Sequence, residues 1–147
     1  MKKAALFLML IATLAGCKQN NKKAENSSAQ TTVDTTLVNV YYFHGKQRCK
    51  TCIAVGDVAK QTIETNFAYN DNVRFTEINT SEKEFEALVE KYEITWNALI
   101  IAKGENFIEI TDQAFATALK NPQSLENLIK EEVNKLKPGT IWSGYSN

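Results

Sequence analysis

The sequence reads as an α/β domain, on two observations. Strand-like runs alternate with helix-like runs along most of the chain, and Cys49-Lys50-Thr51-Cys52 falls where the first strand gives way to the first helix. Two cysteines at this spacing can close a very small disulfide ring. A helix N-terminus, with its unpaired N–H groups, favours the thiolate of the first.

The first strand is Leu37-Val38-Asn39-Val40-Tyr41-Tyr42-Phe43, a β-branched and aromatic run suited to a mostly buried position, and Gly45 closes it. Beyond a basic loop, Cys52 to about Phe67 sets Val55, Val58, Ala59, Ile63 and Phe67 on one helical stripe, weakened locally by Gly56. Asn70-Asp71-Asn72 breaks that helix, and Val73-Arg74-Phe75-Thr76-Glu77-Ile78 alternates as a strand facing a core should. Ser81 with Glu84 has capping-box spacing and predicts a second helix with Phe85, Leu88, Val89 and Tyr92 on one face.

Ala98-Leu99-Ile100-Ile101-Ala102 and Phe107-Ile108-Glu109-Ile110, joined by Lys103-Gly104-Glu105-Asn106, read as a hairpin. Thr111 to Lys120 has room for a short helix. Asn121-Pro122 is a start signal for the last one, whose apolar face is Leu125, Leu128, Ile129, Val133 and Leu136.

At 147 residues, 44% hydrophobic and 23% charged, the chain has room for one compact domain with appendages. Its 17 basic and 17 acidic side chains cancel, so no global field recruits nucleic acid, which is dropped as a partner.

The N-terminus carries an address. Lys2 and Lys3 precede an apolar stretch from Ala4 to Ala15 that is too short for a comfortable permanent anchor, so residues 1–16 read as a secretory signal. Its end, Leu14-Ala15-Gly16-Cys17, resembles a bacterial lipobox, in which the cysteine thiol receives a diacylglycerol; the plainer alternative is an ordinary signal peptide ending by chance at a cysteine. Losing Lys2 and Lys3 with the signal lowers the basic count from 17 to 15 and leaves the mature chain faintly acidic. Lipid on Cys17 would account for the odd cysteine count and leave Cys49 and Cys52 to each other. Export places them where disulfides persist, which admits a redox pair and a permanent bridge alike. Residues 17–36, rich in Lys, Asn, Gln, Ser and Thr, then read as a disordered tether holding a folded domain near a membrane, facing the periplasm or the exterior.

The order strand, helix, strand, helix, strand, strand, helix, with the cysteine pair after the first strand, resembles the thioredoxin-like fold (βαβαββα) over residues 37–137. The resemblance implies a central mixed sheet with helices on both faces. The right-handed crossover rule independently makes the first two strands parallel neighbours. The resemblance also implies that Cys49 is the nucleophile and Cys52 the resolving thiol, with no cofactor beyond the redox-active disulfide. Lys46, Arg48 and Lys50 add positive charge nearby, and Lys50-Thr51 between the cysteines would tune the couple.

Two departures from the family stand out. Lys50-Thr51 replaces the Gly-Pro of thioredoxin itself and Arg48 its Trp, so a different partner and redox poise are expected. The family's cis-proline before the third strand is also missing, since the prolines are Pro122 and Pro138, and Trp96-Asn97-Ala98 occupies that loop. Those three residues are the candidate substrate contacts: Asn97 through its amide, Trp96 through apolar contact or, equally, as a cap on the core.

His44, Cys49 and Cys52 form HxxxxCxxC, three possible ligands for copper or zinc without an evident fourth; the simpler reading makes His44 a polar residue ending a strand and assigns no metal. From Pro138-Gly139, residues 138–147 form a tail with Ile141, Trp142 and Tyr145, expected to pack on the body or, as the alternative, to meet a partner. The strings Tyr41-Tyr42-Phe43-His44 and Arg48-Cys49-Lys50-Thr51-Cys52 are similar to exported thioredoxin-like proteins of a nitrophenyl compound nitroreductase subunit family. That similarity implies an electron-passing accessory beside membrane redox partners. No flavin or nucleotide signature such as GxGxxG accompanies it.

The expectation drawn from all this is a monomeric, membrane-tethered thiol–disulfide oxidoreductase of the cell envelope that exchanges disulfides with a protein partner. The alternatives are a copper- or zinc-handling module on the same thiols, and a noncatalytic subunit with a structural bridge.

Overall fold

A computed structural model describes residues 36–137. Cys17, the signal, the tether and the C-terminal tail therefore lie outside the described residues.

β1 (Val38–His44) is buried along its whole length, which suits its run of β-branched and aromatic side chains, and it holds the centre of the sheet. β2 (Val73–Asn79) pairs with it in parallel, from Val38 opposite Val73 to His44 opposite Asn79. β3 (Ala98–Lys103) lies antiparallel on its other side, and β4 (Asn106–Glu109) completes a hairpin with β3 through Gly104, whose φ of 60° suits glycine. Among the described residues the strands form one mixed sheet in the order β2-β1-β3-β4.

Helices cover both faces. α1 (Lys50–Asn66), α3 (Thr111–Thr117) and α4 (Pro122–Leu136) pack on one, burying Val55, Ala59, Ile63, Ala114, Leu125, Ile129 and Val133 against Val38, Val40, Tyr42, Leu99 and Ile101. A 3-10 turn (Lys83–Phe85) leading into α2 (Glu86–Lys91) covers the other, where Leu88 and Tyr92 meet Tyr41, Phe43, Ile78, Ala98 and Ile100. Asn121 caps α4 as its sequence signal predicts, accepting the Ser124 N–H at 3.2 Å.

Three expectations change. β2 is two-faced rather than simply alternating, because Val73 and Phe75 join the first core while Ile78 joins the second. Ser81 is not the N-cap of the second helix: the 3-10 turn has Glu82 and α2 has Phe85 as N-cap residue, neither with a side-chain cap. Asn79 makes the turn instead, its Oδ1 accepting the Ser81 N–H at 3.1 Å and its Nδ2 donating to Glu82 Oε1 at 3.0 Å. α1 begins at Lys50, earlier than the apolar stripe suggests, which makes Cys49 its N-cap residue.

Candidate thiol–disulfide site

β1 ends at His44, and residues 45–48 carry the chain over the end of the sheet into α1. Cys49 is extended (φ −79°, ψ 169°) and exposed, as an N-cap residue should be. Cys52, one turn on, is 5% exposed and faces the sheet. The two form a disulfide with their Cα atoms 5.0 Å apart. The Cys52 N–H donates to Cys49 Sγ at 3.1 Å, so sulfur does here what a serine or aspartate oxygen does at other helix starts. Cys49, the exposed member of the pair, is thus the one whose sulfur accepts a helix N–H.

Beneath the disulfide lies a polar cluster that the parallel register assembles. Pairing of β1 with β2 sets Tyr42 opposite Glu77 and His44 opposite Asn79. The Tyr42 hydroxyl donates to the Cys52 carbonyl at 2.6 Å, and Arg48 Nη2 donates to the same oxygen at 3.3 Å. The Arg48 guanidinium also lies 5.4 Å from the Tyr42 ring centroid and forms an ion pair with Glu77. Burial pushes the Tyr42 hydroxyl above its ordinary pKa, against the opposing pull of Arg48. Gly56 makes this crowding possible, since a Cβ there would meet Arg48 Nη2 at 2.7 Å and the Tyr42 ring at 2.9 Å. What the sequence presents as a weak point of the helix is where it packs without a side chain against the Tyr42 ring of β1.

Arg48 is therefore turned toward Glu77 and a backbone carbonyl, with its charge partly matched, rather than toward a sulfur. Lys46 and Lys50 are exposed and Thr51 half-buried around the disulfide. Charge beside the thiols thus comes mainly from residues in solvent, where salt screens it.

The loop before β3 splits its three candidates. Trp96 is 78% exposed, which removes it from the role of core cap and presents it at the surface. Asn97 is half-buried and places Nδ2 3.8 Å from Cys52 Sγ. Ala98 is 4% exposed, starts β3 opposite Phe43 and belongs to the core under α2, so its side chain is not a surface contact. Trp96, Asn97, Thr95, Thr80, Gln47 and Gly45 line a cleft of about 250 Å³ beside the disulfide. A cleft of about 270 Å³ between α1 and α4 has Val58, Asn66 and Glu126 in its wall and none of these residues.

His44 is not brought into a ligand set with the sulfurs. Its Nδ1 lies 2.8 Å from the Gly45 carbonyl and its Nε2 3.4 Å from Glu77 Oε1, and among the described residues no three His, Cys, Asp or Glu side chains are grouped to hold a metal ion. Both ring nitrogens are occupied by the strand end and its neighbour.

Sequence reasoning missed Tyr42, Glu77 and Gly56 as parts of the site. Tyr42 and Glu77 look like a core residue and a solvent-facing residue until the β1–β2 register sets them opposite each other. The crossover rule names that neighbour but not its register.

No family model matches the chain, and no curated protein matches it. Among solved structures, the zinc-bound form of human ERp44 is similar with a TM-score of 0.51 and 13% identity, over 72% of this chain and 29% of ERp44. The structure of a malarial protein matches with a TM-score of 0.45 and 18% identity, over 66% of this chain and 98% of that one. The chain spans under a third of ERp44, and at that identity the likeness shows the fold alone. The fold is thioredoxin-like, a mixed four-stranded sheet between helices, and it carries a Cys49–Cys52 disulfide consistent with thiol–disulfide chemistry.

Proposed function

We propose that the protein is a thiol–disulfide oxidoreductase that exchanges disulfides with a protein partner through Cys49 and Cys52. One observation carries this reading: the disulfide joins an exposed sulfur at a helix N-cap to a buried sulfur one turn behind it. In exchange, a partner thiolate attacks Cys49 Sγ, the Cys49–Cys52 bond breaks, and Cys52 departs with the electron pair. The partner's second thiol then displaces Cys49 from the mixed disulfide. The partner leaves oxidised and both cysteines are left reduced, and the reverse sequence oxidises them again.

The exposed Trp96 beside the cleft supplies an apolar surface for a partner's chain to lie on. We further propose that Cys17 carries a lipid, so that the domain works as a monomer on a tether at an envelope membrane, as an independent oxidoreductase or as the electron-passing accessory of a membrane reductase. The lipobox-like Leu14-Ala15-Gly16-Cys17 supports the lipid. Among the described residues no helix is long and apolar enough to cross a membrane.

A Cys52→Ala variant tests the exchange. With the resolving thiol removed, Cys49 should stay bonded to its partner in cells, and mass spectrometry of the non-reducing adduct identifies that partner. Absence of any Cys49-linked adduct, together with failure of the wild type to reduce insulin disulfides, would refute exchange. Fatty-acid labelling of the wild type and its loss in Cys17→Ser tests the anchor.

A further inference from the structure

Opening the Cys49–Cys52 bond leaves a negative charge on the sulfur of Cys52, a residue that is 5% exposed. A buried thiolate is unfavourable unless donors replace the water it lacks. The Cys52 peptide N–H is already directed to Cys49 Sγ, while the Tyr42 hydroxyl and Arg48 Nη2 both bind the Cys52 carbonyl. Those groups fix the Cys52 backbone without touching its sulfur. Among the described residues, the side chain that reaches the sulfur is Asn97, from the loop before β3, with Nδ2 3.8 Å from Cys52 Sγ. An amide N–H has no proton to lose near neutral pH, so it can serve the thiolate without competing for its proton.

We infer that Asn97 is a catalytic residue that stabilises the Cys52 thiolate as it leaves Cys49 and when it returns as nucleophile. This deepens the exchange reading and rests on it. When a dithiol opens the bond, one of its sulfurs bonds to Cys49, the electron pair of the broken bond goes to Cys52 Sγ, and the Asn97 amide turns a weak donation to a neutral sulfur into a charge-assisted one. The dithiol then closes to its own disulfide, releasing Cys49 and giving up its two protons, one to each cysteine of the pair. A partner backbone in the cleft would compete for the other Asn97 N–H and the amide oxygen, which couples docking to the charge on the buried sulfur.

The test uses the full chain with Cys17→Ser and Cys49→Ala, so that Cys52 is the one thiol, and follows its thiolate absorbance with pH. Asn97→Ala should raise the Cys52 pKa by about one unit, a tenfold fall in thiolate. Asn97→Asp, nearly isosteric and anionic, should raise it further. In chains retaining both active-site cysteines, Asn97→Ala should slow reduction by dithiothreitol about tenfold. An unchanged Cys52 titration in both variants, with unchanged thermal midpoints, would overturn the inference. The titration needs no partner. A wild-type disulfide that native protein does not open to dithiothreitol would instead defeat the exchange reading, whatever the titration returns.

Discussion

Gly56 sits directly beneath the ring of Tyr42, where a Cβ would stand 2.9 Å from Tyr42 Cε1. Alanine at 56 would gain about 1 kcal/mol of helix propensity. Against this, the Arg48 head at 2.7 Å can swing aside, but the Tyr42 ring is rigid and fully buried. Overpacking of this kind costs about 1–3 kcal/mol. Gly56→Ala is therefore expected to destabilise the fold by about 1 kcal/mol net and to disturb the hydrogen bond from Tyr42 to the Cys52 carbonyl, as read by urea denaturation and by the chemical shifts of residues 49–56.

Glu77 neutralises Arg48 and faces His44 from the neighbouring strand. Glu77→Gln keeps the shape and removes the charge, leaving the half-buried Arg48 without its counter-ion. A loss of about 1 kcal/mol is expected at low salt. The pair is partly exposed, so the loss should shrink as ionic strength rises, and denaturation at two salt concentrations checks it.

The C-terminus of α2 closes with Glu93 at φ 52°, its N–H bonded to the Glu90 carbonyl, while the Ile94 N–H reaches the Val89 carbonyl. This is the arrangement in which glycine is the preferred residue. Glu93→Gly should stabilise the protein by about 1 kcal/mol, raising the urea midpoint with no change in slope.

Alkaline pH should weaken the fold through Tyr41. Burial, reinforced by Tyr92, raises its pKa from 10.0 to about 12. Between those values the unfolded chain has released the proton and the folded chain still holds it, so stability falls as pH rises through this window and is unaffected below it. Tyr41→Phe should flatten that part of the pH–stability curve, measured by denaturation across the same range.

The two sulfurs differ in access, since Cys49 is exposed and Cys52 is 5% exposed. After gentle reduction, iodoacetamide should modify Cys49 well before Cys52, by roughly tenfold or more in rate. Peptide mapping checks the order, and equal labelling would contradict the described burial.

The parts of the fold that depend on local pattern were legible. β1, α1, the β3–β4 hairpin and α4 follow from apolar runs, helical stripes, a glycine turn and an Asn-Pro start, each of which acts within a few residues. The start of α2 was not, because Asn79 outcompetes Ser81 for the turn, and that depends on where β2 ends. The pairing of Cys49 with Cys52 follows from their spacing, and the structure sets Asn97 Nδ2 3.8 Å from Cys52 Sγ, while Arg48, a nearby positive charge in the sequence, is bonded to Glu77 and the Cys52 carbonyl. Glu77 differs from any other exposed glutamate only through register with Tyr42, a long-range quantity that no local window contains. Trp96 shows the same limit, since an aromatic before a strand fits a core cap or a surface equally until the neighbouring elements are placed.

The ring closed by Cys49 and Cys52 spans a sequence separation of three residues. A link that short restrains the unfolded chain little, about 2 kcal/mol by loop entropy, while the sheet and both helical layers stand on apolar packing elsewhere. On the proposed exchange, opening this bond would leave that packing in place, so loading and unloading electrons would ask little of the surrounding frame.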